Sequence, residues 1–71
     1  MSYHFSGDRL ADAMQSAGLD DQELALDAGC SKSLITLYRL GYRQPPPPRL
    51  VALAALLDVH VEDLFVEELP A

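Results

Sequence analysis

The chain holds 71 residues, 49% of them hydrophobic and 23% charged, with five basic residues against eleven acidic ones for a net charge of −6. That apolar content excludes a disordered polymer, the size allows one domain near the lower limit for a self-sufficient core, and no apolar run is long enough to span a bilayer. One cysteine excludes an internal disulfide, and His4 and His60 lie too far apart in the chain for metal-site spacing, so neither a metal nor a cofactor is expected.

The N-terminal segment MSYHFSGDR has neither a basic start nor an apolar signal stretch, and a cytoplasmic protein is expected. Ser6 is placed to cap a first helix, with Phe5 before it and Leu10 at the fourth helical position, the arrangement of a hydrophobic staple. Leu10, Ala13, Met14 and Ala17 then recur at i, i+3, i+4, i+7, and Gly18 ends the helix. Asp20 followed three residues on by Glu23 reads as a capping box opening a second helix over about Asp21 to Ala28, which Gly29 terminates in the left-handed conformation. Ser31 caps a third helix, about Lys32 to Leu40, with Ile35 and Tyr38 on one face and Gly41 closing it. The turn between the second and third helices is minimal, and Ala25 and Ala28 sit where two helices must cross closely, the signature of a helix-turn-helix.

After Gly41 comes YRQPPPP, where each proline removes a donor and disfavours helix in the residue before it. The prolines read as a rigid spacer, with Pro48 in the first turn of a fourth helix that ends at about Leu57 or Asp58. A fifth helix, about Val61 to Glu67, is expected to turn Leu64 and Phe65 inward and to leave Glu62, Asp63, Glu67 and Glu68 as a solvated acidic face. No strand is evident. The fold class is therefore all-α with five helices in one domain over residues 1–71, its core spanning about 6–67.

Charge is distributed unevenly along this framework. Residues 28–57 carry Lys32, Arg39, Arg43 and Arg49 and no acid, a local charge of +4, whereas the remainder sets Arg9 against all eleven acids. A nucleic-acid binder needs a basic footprint, and here it coincides with the third helix and the loop after it. At a Debye length of about 8 Å these cations outweigh acids on distant surfaces.

The chain resembles the helix-turn-helix domains of the lambda repressor and Cro type. In that family's twenty-residue motif an Ala stands at the fifth position, a Gly at the ninth, and apolar residues at the fourth, eighth, tenth, fifteenth and eighteenth. Counted from Asp21, these fall on Ala25, Gly29, and on Leu24, Ala28, Cys30, Ile35 and Tyr38. The proline loop, the apolar helix with Leu50, Leu53, Ala54 and Leu57, and the segment DVHVEDLF continue the likeness to about residue 66. The resemblance implies a five-helix lambda-repressor-like domain whose third helix enters the major groove of double-stranded DNA. It assigns base readout to Lys32, Ser33 and Thr36. Lys32 can donate to guanine O6 and N7, Ser33 can pair with several bases, and Thr36 offers a hydroxyl and a thymine-contacting methyl. Backbone phosphates fall to Arg39, Tyr42, Arg43 and Gln44, which fix register. Cys30 falls at a core position of the motif.

Two positions depart from that pattern. Asp21 stands where the family commonly has a phosphate-contacting Gln, and Asp20 beside it is also acidic. Leu37 and Leu40 are expected on the outward face of the third helix, where polar or basic residues are usual; they would meet a thymine methyl or a protein partner.

Two function classes therefore compete. One is a sequence-specific DNA-binding transcriptional regulator of repressor or Cro type, binding a two-fold operator as a homodimer whose seam involves Val61, Val66 and Leu69. A phage or prophage origin suits so compact a regulator. The other is a protein-interaction module on the same fold, an antirepressor or antitoxin-like partner with little DNA binding, for which the excess acid, Asp21 and the Leu37/Leu40 pair speak. No constellation for catalysis is present.

Overall fold

The computed structural model describes residues 2–68. Four α-helices and a short 3-10 helix stand between two strands: β1 (Ser2–Phe5), α1 (Gly7–Ala17), α2 (Asp21–Ala28), α3 (Lys32–Arg39), α4 (Pro47–Leu57), the 3-10 helix (Val61–Leu64) and β2 (Phe65–Glu68).

Local chemistry explains the helix boundaries. The Ser6 side chain accepts from the Arg9 N–H at 3.3 Å, and Gly18 closes α1 in the left-handed conformation at φ 72°. At α2 the capping box is complete: Asp20 Oδ1 accepts from the Glu23 N–H at 2.8 Å, and Glu23 Oε1 from the Asp20 N–H at 3.2 Å. Gly29 ends α2 at φ 72°, and Ser31 caps α3 through the Leu34 N–H at 3.1 Å. Helix α4 begins at Pro47, with Pro47 and Pro48 in its first turn, where their missing N–H groups have no partner to lose. Of the four prolines, Pro45 is fully buried and anchors the loop.

The core gathers Phe5, Leu10, Met14, Leu24, Ala25, Ile35, Tyr38, Leu50, Leu53, Ala54, Leu57 and Leu64. Among the described residues no polar or charged residue is buried. Burial of a leucine-sized side chain supplies about 1.5–3 kcal/mol, which makes Leu10, Leu24, Ile35, Leu53 and Leu64, all at 0% exposure, the main apolar contribution.

The expected fifth helix and the absence of strands are both corrected. Only Val61–Leu64 is helical, as a single 3-10 turn in which Asp63 Oδ2 accepts from the His60 N–H at 3.0 Å. From Phe65 the chain extends and pairs antiparallel with β1, Tyr3 opposite Glu67 and Phe5 opposite Phe65. The two phenylalanine rings meet edge to face at 6.4 Å, an arrangement favoured by the ring quadrupole. The cause is a partner sixty residues away: once β1 offers a free edge, the Phe65–Val66 pair gains more by pairing as strand than by continuing a helix. Glu67 and Glu68 accordingly lie on β2 and not on a helical face with Glu62 and Asp63. The Ser6 N–H donates to the Leu64 carbonyl at 2.9 Å and locks the start of α1 to this terminal layer. Among the described residues no helix is long and apolar enough to cross a membrane.

Candidate nucleic-acid interface

Helix α3 is held by its inner face and open on its outer one. Ile35 and Tyr38 are buried, while Lys32 and Ser33 are exposed. Lys32, Ser33, Thr36 and Leu37 together line one shallow depression of about 440 Å³ on the first two turns. The three residues expected to read bases are thus brought together, with Leu37 as a fourth, apolar member. The turn before α3 positions this face: the Cys30 N–H reaches back to the Ala25 carbonyl at 3.0 Å, and the buried Ala25, only 3% exposed, lets the helices approach. Cys30 is half-buried against the core as a free thiol.

The residues expected on the DNA backbone divide into two groups. Tyr42, Arg43 and Gln44 are exposed in the loop after α3, Tyr42 at 76%. Their backbone is tied to α3, since the Tyr42 N–H donates to the Leu37 carbonyl at 2.9 Å. Leu40 caps α3 and is 54% exposed.

Arg39 is separate from this group and already has a partner within the chain. Its Nε donates to Asp21 Oδ1 at 3.0 Å and its Nη2 to Asp21 Oδ2 at 3.0 Å, a two-point grip of guanidinium on carboxylate. The Thr36 hydroxyl lies 2.7 Å from Asp21 Oδ2, to which it donates, and 3.1 Å from the Lys32 carbonyl. The hydrogen bond from Arg39, with that from Thr36 and the charges of Arg39 and Lys32 adding to it, holds the Asp21 carboxyl below the usual carboxylate range against the opposing effect of burial. Asp21 in turn holds the Arg39 guanidinium above its ordinary value.

Asp21 therefore has two roles in the fold. As the first residue of α2 it is favourably placed at the positive end of the helix dipole, and it also fastens α2 to α3 through Arg39 and Thr36. The only signal in the sequence was an acid at an unusual position; its partners stand 15 and 18 residues away. Among the described residues no group of three His, Cys, Asp or Glu side chains could hold a metal ion.

Comparison with known proteins gives the same architecture. No curated protein sequence matches the chain. Among solved structures, the restriction-modification controller protein C.AhdI from Aeromonas hydrophila is 28% identical, with a TM-score of 0.76 over 82% of this chain and 88% of that one. The biofilm master regulator SinR, solved in complex with DNA, is 30% identical, with a TM-score of 0.76 over 82% of this chain and 94% of that one. The helix-turn-helix family model matches residues 10–64, which takes in all four α-helices except the first turn of α1. On that match the chain belongs to the Cro/C1-type helix-turn-helix family.

Proposed function

We propose that this protein is a sequence-specific DNA-binding transcriptional regulator that lays α3 in the major groove of an operator and acts, in the manner of Cro, by occupying it. The observation that carries this reading is the position of the basic section. The outer face of α3, with Lys32 and Ser33 exposed, and the exposed residues 41–44 after it lie in the acid-free stretch 28–57. SinR, a structure of which holds DNA, has the same fold and supports the assignment.

In this reading Lys32 donates to a guanine, Ser33 adds a permissive contact, and Leu37 with the Thr36 methyl faces a thymine. Arg43, Gln44 and Tyr42 contact phosphates and set register. Two copies bind a two-fold site with recognition helices about 34 Å apart. Val61 and Val66, both half-buried, belong to the dimer seam; Leu69, the third residue expected there, lies outside the described residues. Sedimentation of the protein with and without a selected duplex tests the stoichiometry: two chains per duplex are expected, and one chain per duplex contradicts the dimer.

The protein-partner reading draws on one observation, the exposure of Leu40 and Tyr42 side by side with the recognition helix. If that surface serves a protein alone, random duplex DNA will not bind even at low salt.

A further inference from the structure

Asp21 presents its carboxylate to a set of donors that an oxyanion of DNA would also take: a guanidinium fork and a hydroxyl. The carboxylate side chain is only 14% exposed, so the pairing is not a loose surface contact. Beside it, a cleft of about 410 Å³ between α1, α2 and α3 has Lys32, Arg39 and Asp21 on its wall, together with Asp20. These four charges sum to zero. A phosphate entering the cleft therefore meets two cations whose field is cancelled by two carboxylates.

We propose that Asp21 is an internal counter-anion that lowers affinity for the DNA backbone by occupying the Arg39 guanidinium, so that a phosphodiester must compete with it. The inference rests on the DNA-binding reading and adds the residue that sets its strength. Without the Asp21 charge, the cleft carries a net positive charge and Arg39 becomes available to a phosphate. Of the four cations between residues 28 and 57, Arg39 is the one with a carboxylate partner among the described residues. Such damping suits a regulator that must leave non-specific DNA readily, because backbone contacts supply essentially all non-specific affinity.

Asp21→Asn keeps an oxygen able to accept from Arg39 and removes the charge. Binding of the wild type and this variant to a random-sequence duplex pool is measured by fluorescence anisotropy over a salt series, with helical circular dichroism as the folding control. Asp21→Ser serves should the Asn variant fail to fold. The variant is expected to bind about tenfold more tightly, the size of one close charge interaction in water. Its log K against log salt slope should steepen by about 0.9, the signature of one added phosphate contact. In an Arg39→Ala background the gain should be smaller. A folded variant that binds no better than wild type, with an unchanged slope, overturns the proposal while leaving DNA binding intact. Absence of binding by every form at low salt overturns the DNA-binding reading as well.

Discussion

The α-carbon of Gly7 lies directly against the backbone carbonyl of Arg39. A Cβ built at Gly7 would overlap the Arg39 oxygen and come within 2.8 Å of the Tyr38 oxygen. The positive end of α1 thus abuts the negative end of α3, an arrangement the helix dipoles favour. It also seats the recognition helix from behind, because the residues abutted, Tyr38 and Arg39, form the end of α3 between the core and the exposed loop. Gly7→Ala is expected to destabilise the domain by about 1–3 kcal/mol through overpacking against immobile backbone. Urea unfolding measures it; a loss indistinguishable from zero would show that α1 and α3 can separate freely.

Acid should act through Asp21. Its carboxyl is held below the usual range chiefly by the Arg39 hydrogen bond, whereas in the unfolded chain it keeps its ordinary value of about 3.8. A native value lower than the unfolded one means the unfolded state takes up the proton first as pH falls. The stabilisation is therefore complete above the unfolded value and is lost as pH falls through the native one. Urea unfolding from about pH 5 to 2 should show the wild type losing its advantage over Asp21→Asn across that window. A stability difference that stays constant with pH would assign the Asp21 contribution to shape and not to charge.

Two substitutions separate base reading from backbone anchoring. Arg43→Ala should weaken binding to all duplexes alike and reduce the salt slope by about 0.9. Lys32→Ala should relax preference at one base pair, with discrimination there falling by about 1–3 kcal/mol. Competition titrations with single-base operator variants distinguish them, and an unchanged preference after Lys32→Ala removes that residue from the readout set.

The parts of the fold legible in the sequence are those governed by contacts within a few residues. The Asp20–Glu23 box, the Ser6 and Ser31 caps and the Gly18 and Gly29 terminators each act within one turn, and the structure has every one of them. The terminal strands were illegible for the opposite reason. Val61 to Glu67 has helix-compatible spacing, and nothing local reveals that Ser2–Phe5 stands ready to pair with its second half. At the candidate interface, the outward setting of Ser33 follows from its register opposite Ile35 and Tyr38, and Lys32 is exposed as the first residue of the helix. The pairing of Arg39 and Thr36 with Asp21 depends on how α2 crosses α3, which charge pattern alone does not encode.

Selection of bound duplexes from a random pool at two salt concentrations tests whether α3 reads DNA. An enriched, roughly palindromic motif with one half-site per protomer is expected, with weaker recovery at the higher salt. A pool that stays random, with no binding even at the lower salt, would contradict it and direct attention to the exposed Leu40 and Tyr42 as a surface for a protein.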